Sequence, residues 1–148
     1  MRHAALLLVL ALTAACRGPA SPASLEPGRD VCAHCRQVVR DPLFAAQIVA
    51  PGESPLFFDD IGCLFDYLSR HTRLRPGAIA YVADHQNGEW VVAATALYTR
   101  NLQVPTPMNS HLIAHGSVNT QVADPAGRTG LRVTLQELSP LDVPDGMR

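Results

Sequence analysis

The stretch 55-PLFFDDIGCLFDYLSR-70 decides how the rest of the chain is read. Its first half, PLFFDD, is short, apolar and aromatic, the composition of a strand. The second half changes period. Ile61, Leu64, Phe65 and Leu68 recur at i, i+3, i+4 and i+7, which places them on one face of a helix over residues 61–70. Asp59 or Asp60 stands where a carboxylate can accept the first unpaired helix amides. Arg70 and His71 stand at the far end, where basic groups complement the helix dipole.

Upstream, 44-FAAQIVA-50 reads as a strand turning back through PGES onto PLFFDD. Downstream, 78-AIAYVAD-84 and 89-EWVVAA-94 flank His85-Gln86-Asn87-Gly88, and Asn-Gly between β-rich runs is a strong hairpin signature. Farther on, Thr106 reads as a helix cap with Pro107 at the first helical position, where its missing amide costs nothing. Leu112, Ile113 and Ala114 give that short helix a weak apolar face, and His111 and His115, four apart, would share a side of it. Residues 118–124 read as a strand, PAGRTG as a loop, and residues 131–138 as a short closing element. The expected fold class is therefore α+β, built from two small related units, each a strand pair with a helix. In each unit a capping residue, Asp60 or Thr106, precedes a soft side chain, Cys63 or Met108.

The ends of the chain speak to compartment. Arg2 and His3 precede an apolar run over residues 4–11, then small residues and Cys16. That run is too short to span a bilayer and reads as an export signal over residues 1–15. Ala14-Ala15 before Cys16 is similar to a lipobox, in which the cysteine is lipidated and becomes the mature N-terminus. Residues 16–29, rich in Pro, Ser, Gly and Ala, then read as a tether that need not pack. Residues 30–138 form the domain and residues 139–148 a flexible tail. The formal net charge is −1 and no basic stripe interleaved with aromatics is present, which excludes a nucleic-acid partner.

Four cysteines occur in the whole chain, leaving Cys32, Cys35 and Cys63 in the domain. An odd number in an oxidising compartment leaves at least one thiol over. The pair in 30-DVCAHC-35 admits several chemistries. A disulfide would close a very small loop and add little stability. A redox pair is expected at a helix N-terminus after a strand, whereas this one follows a tether and soon meets Pro42. Zinc wants four ligands, and no second pair exists, although Cys63 and a histidine could complete a set. Cu(I) is content with two or three soft ligands. Cys32, Cys35, Cys63 and the thioether of Met108 supply them, with His34 and His111 as further donors. Exposed thiolates could also bridge two chains into a homodimer around one metal. There is no glycine-rich phosphate loop, no His-Glu-x-x-His and no nucleophile elbow, so the chain does not read as an enzyme.

These features together resemble the NosL family of small bacterial copper-chaperone lipoproteins. The resemblance rests on Cys16, on Asp30, Cys32 and Cys35, on Ala46-Gln47-Ile48, and on 57-FFDDIGCLFDYL-68. It continues through Tyr81-Val82 with Asp84 and Trp90, Ala96 with Tyr98, and Thr106-Pro107-Met108, covering residues 30–115. It implies a fold similar to that of organomercurial lyase, with Cu(I) held by Cys35 and Met108 and Cys63 near the site. It also implies a lipid-anchored, periplasm-facing location in the bacterial cell envelope. The implied client is a copper-dependent periplasmic enzyme, nitrous oxide reductase or another. One departure concerns the metal. Family members continue the second cysteine as Gly-Met, whereas this chain has Arg36-Gln37 and so lacks that thioether. Another is Asn109-Ser110-His111 after Met108, where a glycine-rich stretch is common; it could add an imidazole.

Overall fold

The computed structural model describes residues 20–71 and 73–138. The expected export signal, Cys16 and the tail expected over residues 139–148 lie outside the described residues. The fold is α+β with two antiparallel sheets.

The first sheet has the order β2-β1-β3-β4, with β1 at Ala46–Val49, β2 at Leu56–Phe58, β3 at Ile79–Ala83 and β4 at Trp90–Val92. Register follows the side-chain alternation. Ala46 faces Phe58 on one side and Val82 on the other, and all three are fully buried. Helix α1, Ile61–Arg70, lays Ile61, Leu64, Phe65 and Leu68 into the same core. Burial on that face stabilises by roughly 1.5–3 kcal/mol per large apolar side chain. Asp60 is its cap, with Oδ1 accepting from Gly62 N–H at 2.7 Å. The β3–β4 hairpin turns where Asn-Gly stands, with Gly88 at φ 76.

The opposite face of this sheet is covered by the segment expected to be a loose tether. From Ala20 onward that segment is docked. Ala23 exchanges hydrogen bonds with the buried amide of Gln47 at 2.7 and 3.2 Å, and Tyr81 O–H donates to Ala20 O at 2.7 Å. Ala23 and Leu25 pack against Val39, Ala45 and Phe57. The amide of Gln47 explains this: buried on a sheet face, it needs partners, and backbone groups of the covering segment supply them.

The second sheet has the order β6-β5-β7, with β5 at Leu97–Arg100, β6 at Leu112–His115 and β7 at Leu131–Val133. Here several expectations are overturned. The helix expected after Thr106 is absent. Asn109 N–H closes a turn on Thr106 O, and Asn109 and His111 take φ 56 and 58, left-handed values that stop a helix. The run of Leu112, Ile113 and Ala114 is too short for a helical stripe and pairs with β5 instead. His115 therefore lies buried in a strand and shares no helix face with His111.

The strand expected over residues 118–124 is helix α2, Val118–Ala123, opened by a reciprocal capping pair of Ser117 and Thr120. The expected loop is helix α3, Pro125–Thr129, with Asp124 as cap and Pro125 in its first turn. The closing element divides into β7 and a single helical turn, α4, Leu135–Leu138. The two sheets share one core. Phe65 meets the ring of Tyr98 edge-on at 5.5 Å, and Leu112 and Ala114 join the cluster around α1.

Candidate metal centre

Cys32 and Cys35 sit on a tight turn clamped to the end of β2. Cys32 N–H donates to Gln37 O at 2.8 Å, and Ala33 N–H donates to Phe57 O at 2.8 Å. Arg36, at φ 69, makes the reversal. This clamp buries Cys32 completely and leaves Cys35 half-buried. Cys63 reaches the same place from the first turn of α1, which the Asp60 cap holds against the end of β2. Asp59, between strand and helix, turns its carboxylate inward, and Cys35 Sγ–H donates to its Oδ1 at 3.2 Å. One donor atom from each of Cys32, Cys35, Asp59 and Cys63 lies within 4.8 Å of all the others. The three thiols are unbridged.

The sulfurs are electrostatically unequal. The Cys63 thiol donates to Cys32, and this outweighs burial and lowers the Cys32 pKa to about 6. Burial pushes Cys35 up to about 11, with the neighbouring Cys32 sulfur and Asp59 adding to the rise. Cys63 is pushed far upward, first because its proton is committed to Cys32 and then by burial. At neutral pH the cluster is thus a Cys32 thiolate accepting from the Cys63 thiol, with the Cys35 thiol donating to Asp59. A metal cation would replace those protons.

Met108 stands at the mouth, on a turn and not at the helix start expected for it. The residue is 45 % exposed, but its backbone is tethered: Met108 N–H donates to Asp60 Oδ2 at 2.8 Å. One carboxylate therefore caps α1 with one oxygen and holds the Met108 loop with the other. Gly62 makes this approach possible, because a Cβ there would lie 2.6 Å from Ser110 Cβ. Met108, His34, Cys35 and Cys63 line one cavity of about 370 Å³, which Asp66 and Ser110 help to enclose. His34 is part of it, with Nε2 3.8 Å from Asp66 Oδ2. On the other side of Met108 a second hollow is lined by Gln37, Arg40 and Asp59. His111 is engaged elsewhere, its Nδ1–H donating to Val104 O at 2.9 Å.

Asp59 escaped the sequence reading as a donor because capping explained the whole Asp59-Asp60 pair. The β-to-α corner divides the work, Asp60 capping and Asp59 facing sulfur. Two adjacent carboxylates where a single cap suffices were the available clue.

Residues 22–124 match the NosL family. The chain belongs to it. No curated protein and no solved structure matches the chain. For a NosL-family chain, the cluster of three cysteines and Asp59 is a donor set suited to a soft metal ion, which supports a metal-binding, chaperone-like role.

Proposed function

We propose that this protein binds Cu(I) as cargo between Cys32, Cys35 and Cys63, with Met108 at the mouth, and delivers it to a copper enzyme. The observation that carries this reading is the convergence of three free sulfurs from two separate segments beneath a tethered, half-exposed methionine. Cu(I) needs only two or three soft ligands, so it can pass between partners by exchanging one ligand at a time. Cys35 and Met108 face outward and are the ligands a partner would displace first. Cys32 and Cys63 are buried and would hold the ion meanwhile. No step needs a bond broken in a substrate, and the role is one of binding.

The same proposal includes the location and anchor. The leader, lipidated Cys16 and periplasmic face are those the family implies, and nitrous oxide reductase is the client it names. Kinship between the two sheet-and-helix halves, on the pattern of organomercurial lyase, belongs to it as well.

The test is an anaerobic competition titration of the reduced protein with Cu(I). We expect a single tight site that weakens by more than about a hundredfold in the Cys32→Ser/Cys35→Ser variant, since even outer partners of metal ligands are worth roughly 10–100-fold. Equal affinity in both proteins would sink the reading. Asp59 favours a second one, in which three thiolates and a carboxylate hold Zn(II) as a closed four-ligand set. Met108→Ala separates the two: loss of about tenfold for Cu(I) alone supports the copper reading, and equal losses for both ions mean that Met108 acts through packing.

A further inference from the structure

Far from the sulfurs, at the seam between the sheets, two imidazoles and a carboxylate converge. His85 follows β3 and is pinned beside β6, its N–H donating to Ala114 O at 2.9 Å while Gly116 N–H donates to Asp84 Oδ2 at 2.7 Å. His115 is the last residue of β6. Asp124 sits between α2 and α3 and divides its oxygens. Oδ1 caps α3 by accepting from Ala126 N–H at 2.8 Å, and Oδ2 meets both His85 Nδ1 at 2.7 Å and His115 Nε2 at 2.9 Å. Gly127 lets α3 close over the ring, since a Cβ there would lie 2.8 Å from His115 Cε1.

The nitrogens that face each other across Asp124 Oδ2, Nδ1 of His85 and Nε2 of the fully buried His115, are the ring atoms an imidazole offers to a metal ion. A buried carboxylate calls for a compensating charge. Among the described residues, the ion-pairing partners of Asp124 are these two histidines, neutral unless protonated. Three donor atoms within 4.8 Å of one another, on three separate chain segments, surround one point. The His85 side chain is 16 % exposed, so the cluster is reached from solvent at this residue.

We propose that His85, His115 and Asp124 form a second metal site, which takes a divalent cation of the zinc class and fastens the second sheet to the first. Imidazole and carboxylate without sulfur suit Zn(II) and discriminate against Cu(I). Zinc bonds of about 2.0–2.2 Å would set the donors roughly 3.3 Å apart, a small opening of the present hydrogen bonds. The ion would bridge the β3–β4 turn, β6 and the α2–α3 junction, so its binding adds directly to folding stability.

Zn(II) titration of the full chain against a chromophoric chelator, with thermal melts, tests this. The wild type should take up one equivalent more than His85→Ala and should melt higher with Zn(II) than without. His85→Ala changes a partly exposed side chain, and Asp124→Asn, as a second variant, keeps an oxygen for the α3 cap. Either should weaken the site by at least about a hundredfold. With Co(II) as probe, the bands lost in His85→Ala should carry no sulfur-to-cobalt charge transfer. Unchanged uptake and melting in both variants, or a lost component that bears the sulfur band, overturns the proposal. Cu(I) binding is read separately, so failure here leaves the sulfur cluster untouched.

Discussion

The two donor clusters are built by the same device and end with opposite properties. Each gathers side chains at the ends of strands and at a helix N-terminus, and each uses a capping aspartate whose second oxygen is turned to another task. Asp60 holds the Met108 loop, and Asp124 receives two imidazoles. The first cluster is three sulfurs and the Asp59 carboxylate, with a half-exposed methionine at its mouth; the second is nitrogen and oxygen, and its most exposed side chain, His85, is 16 % exposed. A soft ion in an open site can leave, whereas a borderline ion in a closed seam serves the fold. The comparison teaches that donor softness and access divide along the same line in this molecule.

The largest effect should come from Asp60→Ala, which cuts both tasks of one carboxylate. Loss of the cap costs about 1 kcal/mol, and loss of a charge-assisted bond to the Met108 amide about 1.5–3 kcal/mol. For a domain of this size that lowers the melting temperature by roughly 10–15 °C. Cu(I) affinity should fall with it, while the zinc-dependent rise in melting temperature persists. A stability loss with Cu(I) affinity intact would show that the tether does not position Met108 as a ligand.

Asp60 also marks where the sequence was legible. The period of Ile61, Leu64, Phe65 and Leu68, preceded by a carboxylate, could form little else, and helix α1 has the expected bounds. Asn87-Gly88 likewise set the β3–β4 hairpin. In the second half, local signals competed. Thr106-Pro107 imitates a helix start, but Asn109 and His111 take left-handed φ values and β5 offers a pairing edge. Ser117 with Thr120, and Asp124 before Pro125, were cap signatures that alternation in VNTQVAD obscured. The sulfur set was legible as soft residues placed near turns. The imidazole seam was not, because a bridge between Asp84 and Ala114 in different sheets creates it, and no local period records that contact.

A second, intermediate effect is the pH dependence of the sulfur cluster. Above pH 6 Cys32 is a thiolate, whereas Cys35 at about 11 and Cys63, raised further, still carry protons near neutrality. Each proton displaced by the metal steepens affinity by about tenfold per pH unit. Around pH 7 Cu(I) affinity should therefore rise with pH, with two protons released per ion if both thiols become ligands. Below pH 6 the slope should steepen again as Cys32 is protonated too. Competition titrations in buffers across this range, with proton release measured directly, count the thiolates. A release of one proton near neutrality would mean that Cys63 keeps its proton as a hydrogen-bond donor to Cys32.

The smallest effect sharpens the contrast within the soft site itself. Gln37 lines the hollow on the far side of Met108, beside Asp59, at the position where the resemblance implies a methionine. Its amide offers a hard oxygen to a soft ion, a poor match. Gln37→Met would place a second thioether across the mouth. Because the hollow is open, the longer side chain needs no repacking of the core, and folding stability should change by less than about 0.5 kcal/mol. Cu(I) affinity should rise by several-fold, roughly 1 kcal/mol or less, with slower transfer to a competing chelator and no change for Zn(II). A gain in affinity without slower release would place the new sulfur outside the path by which the ion leaves. No gain at all would mean that the clamped turn, with Cys32 N–H on Gln37 O at 2.8 Å, aims this side chain away from the metal whatever its chemistry.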